Sequence, residues 1–415
     1  MHSPSLLTRE QAKAVAEAFG TPTYVYDEKT LVAKAKAALA FPNAFGLTVR
    51  YAMKAAPNAA ILRLFDALGL YIDAGSGYEA ERALRAGIEP NRITLSSQEW
   101  TDQLPKLYAA GVGFNACSLH QVERFGELLP GQSLGLRFNP GLGSGGTLKT
   151  NVGGPSSSFG IWHERLKEAQ ALVERYGLKV IRIHTHIGSG SDPEVWQRVA
   201  LMSLELLRPF AEATALNLGG GYKVGRMPDE VSTDLQEVGA PIFKAFRAFA
   251  EETGRRIRLE IEPGTFLTAN SGVVLTRIQD ICETGAAGFT FLKLDAGMTE
   301  ILRPTLYAAQ HPIIVIPQED SQERGDYVVV GHCCESGDLL TCTPNAPDVL
   351  QTRSLARARI GDFCLIEGAG AYCSAMSAKN YNSFPEAPEV LLSASGELRL
   401  IRRRQTLEQI IENEC

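Results

Sequence analysis

The sequence predicts an α/β protein, in which a (β/α)8 TIM-like barrel is followed by a C-terminal antiparallel β-barrel or β-sandwich domain. Two observations support this prediction. Eight short apolar segments alternate with helical patterns up to residue 264, whereas the segments after it are typical strands separated by turns, with few helices between them. Strands that are joined through helices pair in parallel, and eight of them can close into a barrel.

The predicted elements follow one another in a regular order. An amphipathic helix with Thr8 and Gln11 as a capping box comes first, followed by a strand over residues 23–26 and a helix over 28–39. The eight predicted barrel strands cover residues 47–53, 70–74, 93–96, 113–117, 134–138, 180–187, 216–218 and 257–261. Helical patterns between them include residues 58–68, 78–86, 162–176, 193–213 and 233–253.

The boundary between the two domains is predicted at Glu262-Pro263-Gly264, a turn rather than a flexible linker. The barrel is then expected over residues 28–264, and the β-rich domain over 265–415 with residues 1–27 completing it. A doubly wound open sheet is the alternative. However, no Gly-x-Gly-x-x-Gly motif opens the first unit, which argues against a Rossmann domain.

Composition excludes several classes of partner. The 415 residues carry a formal net charge of -6, which gives no reason to expect nucleic acid or an anionic membrane. No apolar run approaches the roughly 20 residues that span a bilayer, and the first residues lack the pattern of a signal peptide. The eight cysteines are scattered, so we expect reduced thiols and a cytoplasmic protein.

The stretch around Lys54 is the first candidate for chemistry. An extended apolar run delivers this lysine to a point where Pro57 and Asn58 break the strand. If Lys54 faces the interior of the fold, burial lowers its pKa and frees the amine for covalent catalysis. A solvated lysine in a strand-to-helix turn is the alternative interpretation of this stretch taken alone.

Further polar residues and glycines follow other barrel strands, and the active site of a barrel gathers at these carboxyl ends. They are Asp73, Arg137, His184, His186, the turns Gly188-Ser189-Gly190 and Gly219-Gly220-Gly221, and Glu260 to Gly264. We expect one of the two histidines to face the interior or mouth of the barrel and the other to pack against a helix. No metal site is predicted, because further ligands do not accompany the histidines.

Together these groups are the ones that a pyridoxal 5′-phosphate (PLP) site requires. A lysine bonds to the cofactor, and two glycine-rich turns offer backbone N–H groups to its phosphate. A histidine can stack on the ring, and a carboxylate keeps the pyridine nitrogen protonated so that the ring accepts electrons. The sequence therefore predicts PLP as cofactor.

A set of motifs spans nearly the whole chain: YAMKA at Lys54, NPG followed by KTNVGG and FGIW, HTHIGSG, LNLGGG, EIEPG, LDAGMTEILRP, CESGD, GAGAY and NYNS. With them the sequence resembles the fold-type III PLP-dependent decarboxylases, whose barrel is like that of alanine racemase. Within that family it is most similar to the branch that converts meso-diaminopimelate to L-lysine and CO2. The resemblance implies an amino-acid α-decarboxylase with a small-molecule substrate.

The resemblance also implies roles for individual residues. Lys54 would bond to the cofactor, His186 would stack on its ring, and Glu262 would pair with its nitrogen. The remaining cofactor contacts would come from Asp73, Ser189, Gly219, Gly220, Gly221, Gly264 and Tyr372.

Substrate contacts are implied as well. Arg303 and Tyr307 would bind a substrate carboxylate, Glu335 its amine, and Tyr372 the substrate or the cofactor. Cys334 would return a proton to carbon after CO2 leaves, and a thiol with a pKa of about 8.5 is a suitable acid. In this family the CESGD loop enters the site of a partner subunit, so a homodimer with shared active sites is expected.

The sequence departs from the family pattern at four positions. Thr265 stands where an arginine usually follows EPG, and a hydroxyl cannot replace its bidentate charge. Ser158 stands where many relatives have lysine, Lys379 looks inserted, and Phe384 replaces a common arginine. These departures leave the catalytic set intact and change the residues that select the substrate.

Other functions therefore remain alternatives. A related decarboxylase could act on D-lysine or D-ornithine, carboxynorspermidine, or an intermediate of siderophore or antibiotic synthesis. An alanine racemase-like enzyme would have no need of the CESGD loop. A non-catalytic PLP-binding homologue would be expected to have lost Lys54 or Cys334, and both are present.

Overall fold

A computed structural model describes residues 5–143, 152–319 and 322–415. The chain divides into two compact units. One unit, the barrel unit, consists of Val32–Lys223 and Val231–Leu267. The other, the sheet unit, consists of Met1–Leu31, Val224–Glu230 and Thr268–Cys415. The segment Val224–Glu230 therefore interrupts the barrel unit in sequence and belongs to the sheet unit.

The strands, in chain order, are β1 (Thr23–Asp27), β2 (Leu47–Ala52), β3 (Tyr71–Ala74), β4 (Ile93–Leu95), β5 (Gly113–Ala116), β6 (Ser133–Asn139), β7 (Ile161–Trp162), β8 (Lys179–Thr185), β9 (Ala215–Asn217), β10 (Arg258–Ile261), β11 (Gly272–Glu283), β12 (Thr290–Leu294), β13 (Ile313–Ile316), β14 (Arg324–Val330), β15 (Cys342–Thr343), β16 (Ala346–Leu350), β17 (Arg353–Ala356), β18 (Phe363–Ile366), β19 (Glu389–Leu392) and β20 (Leu398–Arg402).

The α-helices are α1 (Arg9–Phe19), α2 (Glu28–Leu39), α3 (Ala59–Ala67), α4 (Gly77–Arg85), α5 (Leu104–Ala109), α6 (Leu119–Leu128), α7 (Leu166–Arg175), α8 (Pro193–Leu207), α9 (Leu235–Thr253), α10 (Thr265–Thr268), α11 (Arg303–Tyr307) and α12 (Leu407–Ile411). Among the residues that the structure describes, no helix is long and apolar enough to span a bilayer.

The barrel unit is a closed parallel barrel, which confirms the predicted fold class. Its strands are ordered β5-β4-β3-β2-β10-β9-β8-β6, and pairing of β5 with β6 closes the circle. All eight predicted strands are present, with ends within two residues of those expected. The carboxyl ends of these strands consequently meet at one rim, where the candidate residues of the barrel unit lie.

Two predicted helices of the barrel unit have different ends. The pattern expected over residues 162–176 begins as the short strand β7, because Trp162 pairs with Asn139 of β6, and α7 starts only at Leu166. The pattern expected over 193–213 ends with α8 at Leu207, since Pro209 has no backbone N–H to continue the helical hydrogen bonds. Several other helices, such as α3 and α4, begin at side-chain caps, here Asn58 and Ser76.

A buried ion cluster fills part of the barrel interior. Glu260 accepts hydrogen bonds from Arg50 and from Arg182, with Nε–Oε2 distances of 3.0 and 2.7 Å. Burial opposes ionisation of Glu260, yet the two guanidinium groups lower its pKa to about 2. Because alternate residues of a strand face the same side, Glu262 also points inward, one step nearer the rim.

The sheet unit is a mixed β structure. Strand β1 lies between β11 and β19, pairing antiparallel with the first and parallel with the second. Strands β12 and β14 also pair in parallel, so the purely antiparallel sheet predicted for this part is wrong in these two pairings. Early strand β1 pairs with a strand late in the sequence, and such a return permits parallel pairing without a crossover helix.

The core of the sheet unit is built under the first helix. Ala12 and Val15 of α1 pack with Val25, Val273 and Leu365 in one buried cluster. The capping box at Thr8 and Gln11 is present, as predicted: the Thr8 hydroxyl accepts from Gln11 N, and the Gln11 side chain accepts from Thr8 N. The predicted helix over residues 28–39 is α2.

Candidate active site

Lys54 lies at the rim of the barrel, immediately after β2, on a short 3-10 turn of Met53–Ala55. Its side chain is exposed in the single chain. The strand ends at Ala52, and the turn carries the next side chain out of the barrel interior instead of along it. The positive charge nevertheless acts on the buried side chains of Asp73 and His186.

Glu262 is the carboxylate at the centre of this rim. It is buried, Asn217 Nδ2 donates to its Oε1 over 2.5 Å, and His184 Nε2 lies 3.1 Å from its Oε2. Burial opposes the ionised form of Glu262, but His184, and after it His186 and Arg137, hold its pKa below the usual range. The site therefore contains a buried carboxylate that stays ionised at neutral pH.

His184, in β8, and His186, just after the end of that strand, both lower the pKa of Glu262. Residues two positions apart on an extended strand point to the same side, so the expectation that His184 and His186 face opposite sides is wrong. Burial lowers the pKa of both imidazoles, and the charge of Glu262 opposes this shift in each. A Cβ atom on Gly219 would lie 2.7 Å from the His186 ring, so the glycine leaves room for that ring.

Asp73 is a second buried carboxyl group at the rim, at the end of β3. Its Oδ1 is buried and accepts no hydrogen bond from the described residues. Burial raises the pKa of Asp73 to about 8, the charge of Glu262 adds to this shift, and the charge of Lys54 opposes it. Asp73 and Glu262 thus hold opposite protonation states near neutral pH.

The two glycine-rich turns lie against each other. Gly190 N donates to Gly221 O over 2.9 Å, and a Cβ atom on Gly221 would lie 1.6 Å from Gly188 O. A Cβ atom on Gly220 would in turn lie 2.1 Å from Glu262 O. Side chains are excluded from both positions, so the backbone of these turns can approach a ligand closely.

These residues fit PLP. Buried polar atoms without a hydrogen-bond partner in the described structure surround Glu262, namely Asp73 Oδ1, His184 Nδ1 and His186 Nδ1. Buried polar atoms are normally paired, and their presence here indicates a polar ligand. The adjoining glycine turns, with Ser189 between Gly188 and Gly190, suit a phosphate group. Gly264 is buried immediately after Glu262 and Pro263.

In the sheet unit, Arg303 and Tyr307 lie on the short helix α11. Arg303 Nε donates to His311 Nε2 over 3.4 Å, and His311 Nδ1 lies 2.8 Å from Glu367 O. Burial first, and the charges of Arg226 and Arg303 next, keep the pKa of His311 well below its usual value. His311 is therefore neutral and accepts from Arg303, which fixes the orientation of that guanidinium.

Cys334 and Glu335 lie on an exposed loop of the same unit. Asp338 anchors this loop: its carboxylate accepts from Cys333 N over 2.9 Å and from Met298 N over 2.6 Å. At the far end, Thr305 of α11 donates to Gly337 O over 2.7 Å. The loop is thereby attached to the helix that carries the candidate carboxylate-binding residues.

Tyr372 has a strained backbone, with φ at +56°, a conformation that residues other than glycine rarely adopt. Such strain is kept where the surrounding structure demands it, and it concentrates at functional sites. The side chain of Tyr372 is half-buried. Tyr307 OH lies 3.9 Å from Met376 Sδ.

Comparisons with known proteins agree with this geometry. Residues 30–269 match the family described as pyridoxal-dependent decarboxylase, pyridoxal binding domain. The diaminopimelate decarboxylase of Escherichia coli K12 is 35% identical, over 98% of this chain and 96% of the relative. The chain belongs to the diaminopimelate decarboxylase family.

Solved structures extend the comparison to both units. A crystal structure of a diaminopimelate decarboxylase has a TM-score of 0.92 and 34% identity, covering 100% of this chain and 98% of that chain. The Helicobacter pylori diaminopimelate decarboxylase, solved in complex with L-lysine, has a TM-score of 0.83 and 28% identity, covering 97% and 98%. Membership of this family makes the chain a PLP-dependent carboxy-lyase that acts on an amino acid.

Each departure from the diaminopimelate decarboxylase pattern has a local setting. Thr265 begins the short helix α10, and Ser158 Oγ donates to Gln98 Oε1 over 3.4 Å. Phe384 stacks on His332, with ring centroids 3.7 Å apart and planes 8° from parallel. Lys379 Nζ forms an ion pair with Glu386 Oε2 at 2.8 Å. None of these contacts provides a guanidinium group in place of the arginine that the family pattern has at position 265.

Several residues of the site carry no sequence signal of their own. Asn217, His311 and Asp338 hold Glu262, Arg303 and the Cys334 loop, respectively. Among these three residues only the position of Asn217 could have been a signal, because it lies at the end of a predicted strand, in the LNLGGG motif that diaminopimelate decarboxylases share. His311 lies outside the quoted motifs, and its contact with Arg303 appears only in the folded sheet unit.

Proposed function

We propose that the chain is a decarboxylase of meso-diaminopimelate that releases L-lysine and CO2, and so serves lysine biosynthesis. The observation that carries the proposal is Glu262, a buried carboxylate that its neighbours keep ionised beside a lysine, two histidines and two glycine turns. A partner of this charge is what a protonated pyridine nitrogen requires. A relative that binds L-lysine, the Helicobacter pylori enzyme, supports the choice of substrate.

Residues of the barrel unit would hold the cofactor. Lys54 supplies the amine that attaches it, His186 lies against the ring, and Glu262 retains a proton at the ring nitrogen. The backbone N–H groups of Ser189, Gly219, Gly220, Gly221 and Gly264 bind the phosphate, and Tyr372 of the sheet unit adds a contact. Asp73, protonated through its raised pKa, donates a hydrogen bond from a neutral carboxyl group. When bound, PLP accepts the electron pair that departing CO2 leaves behind.

Residues of the sheet unit would bind and protonate the substrate. Production of L-lysine from a meso compound requires loss of CO2 from the D-configured centre, so the L-configured end keeps its carboxylate and amine. Arg303 and Tyr307 bind that carboxylate, and Glu335 binds the amine. Cys334 Sγ then delivers a proton to the carbon that lost CO2.

We further propose that the catalytic unit is a homodimer in the cytoplasm. Cys334 and Glu335 are exposed in the single chain, and a proton donor to a carbanion has to work where bulk water is excluded. A second copy that covers this loop would enclose it. The cysteines form no disulfide bonds, which suits a reducing compartment.

The proposed activity is tested by CO2 release from the purified, PLP-loaded protein. Meso-diaminopimelate is assayed beside L- and D-lysine, L- and D-ornithine, arginine and carboxynorspermidine. We expect turnover of meso-diaminopimelate with a kcat of at least about 1 per second, the low end for enzymes. Turnover of another compound in its place would mean that Thr265, Ser158 and Phe384 mark a changed specificity.

A further inference from the structure

We propose that Arg226, together with Arg303, binds the carboxylate at the unreacted end of the substrate. The inference rests on the proposed function, because it assigns a binding group for the same substrate. Arg226 lies in the segment Val224–Glu230, which leaves the barrel unit and joins the sheet unit. It lies outside every motif that carries the family resemblance.

The side chain of Arg226 is held in one position. Its Nε donates to Gly368 O over 2.9 Å. Gly368 has φ at +65°, and a Cβ atom there would lie 2.8 Å from Arg226 Cδ, so only glycine leaves room for this side chain. The backbone N of Arg226 donates to Glu230 Oε2 over 2.8 Å. Backbone and side chain are therefore both fixed before any ligand binds.

The two parts of the Arg226 guanidinium differ, because in the described structure Nε is hydrogen-bonded and Nη2 is not. Arg226 Nη2 is buried and has no hydrogen-bond partner among the residues that the structure describes. Buried donors are normally paired, so an unpaired one is rarely kept where no ligand uses it. The nearest available carboxylate, that of Glu230, accepts from the backbone N–H groups of Arg226 and Met227.

Arg303 converges on the same corner of the sheet unit. It donates to His311, and His311 is bonded to the carbonyl of Glu367, the residue that precedes Gly368. Arg226 is thus bonded directly to Gly368, and Arg303 is linked through His311 to the preceding residue, Glu367. His311 between them is neutral, because burial and both arginines lower its pKa. It orients Arg303 without adding charge.

The electrostatics of this corner favour an anionic ligand. Burial, followed by the charge of Arg303, lowers the pKa of Arg226 to about 9, so Arg226 remains cationic at neutral pH although the charge of Arg303 opposes it. A carboxylate offers two oxygens to such a pair and relieves the repulsion. The substrate has one carboxylate to offer, since the other leaves as CO2.

The assignment of Arg226 to the substrate carboxylate also compensates for the missing positive charge at position 265. The family pattern provides an arginine after EPG, and Thr265 cannot bind a carboxylate in its place. Arg226 supplies a second guanidinium from a different part of the sequence. Substrate recognition would then still use two cations.

The experiment compares two ligands that differ by a carboxylate. L-Lysine has the carboxylate and cadaverine lacks it, and both are titrated calorimetrically into the PLP-loaded wild-type protein and into R226Q. We expect R226Q to weaken L-lysine binding about tenfold to a hundredfold, the value of a charged hydrogen-bond pair, and to leave cadaverine binding unchanged. R226K, which keeps the charge and loses the two-pronged geometry, should lose less L-lysine affinity than R226Q.

The matched control is R277Q. Arg277 belongs to the same unit, and its Nη1 donates to a glycine carbonyl, Gly361 O, over 2.9 Å. The same substitution there should change neither titration. Should R226Q not fold, the comparison of R226K with the wild type decides, because charge and side-chain length are retained.

The outcomes separate this inference from the proposed function. Equal losses for L-lysine and cadaverine in R226Q, or no loss for either, would overturn it. A rise in the dissociation constant of PLP without an L-lysine-specific loss would assign Arg226 to the cofactor phosphate and also overturn it. A wild-type protein that binds L-lysine no better than cadaverine would likewise overturn the inference. An arginine-dependent preference for L-lysine in a protein inactive on meso-diaminopimelate would support the carboxylate site and refute the proposed function.

Discussion

Asn217 connects the buried carboxylate of Glu262 to the glycine turn. Its Nδ2 donates to Glu262 Oε1 over 2.5 Å, and its Oδ1 accepts from Gly219 N over 2.8 Å. His184 lies 3.1 Å from the second carboxylate oxygen. One amide side chain therefore sets the position of Glu262 relative to the turn that is proposed to hold phosphate.

Glu262→Gln removes the negative charge and keeps the size of the side chain. An amide cannot retain a proton at the ring nitrogen, so the electron-accepting power of the cofactor is lost. We expect kcat to fall about a thousandfold or more, a loss typical of removing one key electrostatic contact. Steady-state kinetics measure it, and cofactor content serves as the control. A kcat within tenfold of wild type would contradict the role of Glu262.

Asn217→Leu tests whether Asn217 positions the carboxylate of Glu262. The variant removes the donor to Glu262 and the acceptor for Gly219 N, and we expect kcat to fall about tenfold to a hundredfold with a smaller change in KM. Asn115→Leu is the matched control, because Asn115 is also a buried barrel asparagine but bonds to Ser96. Both variants should lose stability, about 1–3 kcal/mol each. An equal loss of kcat in the control would show that the effect is only structural.

Asp73→Asn tests the raised pKa of about 8. In the wild type the folded state holds a proton on Asp73 up to about pH 8, whereas the unfolded chain releases it near pH 4. Stability therefore declines as pH rises from about 4 to 8 and then levels. The asparagine variant lacks this decline, so relative to wild type it should gain roughly 3–4 kcal/mol as the pH rises from 5 to 8.

Denaturant unfolding of cofactor-free protein across this pH range measures the difference. A gap between Asp73→Asn and wild type that does not change with pH would show that Asp73 is already ionised in the folded protein at pH 5.

Lys54→Ala should abolish the visible absorbance of the covalently attached cofactor and all decarboxylation. Denaturant unfolding shows whether the variant is still folded, and absorbance spectra of the PLP-incubated protein report the attached cofactor. Retention of the visible band would mean that another amine attaches the cofactor.

Mixed dimers test the shared active site. Lys54→Ala and Cys334→Ala should each be inactive as homodimers. If each site combines Lys54 of one chain with Cys334 of the other, a hybrid dimer contains one intact site. Refolding equal amounts together should then restore about a quarter of wild-type activity, since half of the dimers are hybrids with one working site in two. No recovery, with hybrid formation confirmed by tagged chains, would place both residues of a site in one chain.

Much of the fold could be predicted because its signals are local. Each barrel strand is a short apolar run that ends at a turn, and each predicted strand is present. The parallel pairings in the sheet unit were missed, since they join β1 to β19 and β12 to β14 across long stretches of sequence. Sequence patterns define strands but carry little information about distant partners.

The site was predicted less completely. The motif residues Asp73, His186 and Glu262 gather at the barrel rim as candidates, because strand ends meet there. Lys54 proved exposed in the single chain and His184 proved to face Glu262, since the orientation of a side chain depends on where a strand stops and on strand parity. A role for Arg226 could not be predicted, because its segment passes from the barrel unit to the sheet unit and no local sequence pattern indicates this.

The position of β1 has a consequence for synthesis of the protein. Residues 23–27 are translated before the barrel strands, but their partners, Gly272–Glu283 and Glu389–Leu392, are translated only after them. Until then Tyr24 and Val25, both buried in the finished sheet, have no strand to pair with. The barrel strands can associate as soon as residue 261 has emerged, so the growing chain carries an unpaired, apolar strand beside a folded neighbour. Such a strand edge is a binding site for chaperones and for other nascent chains.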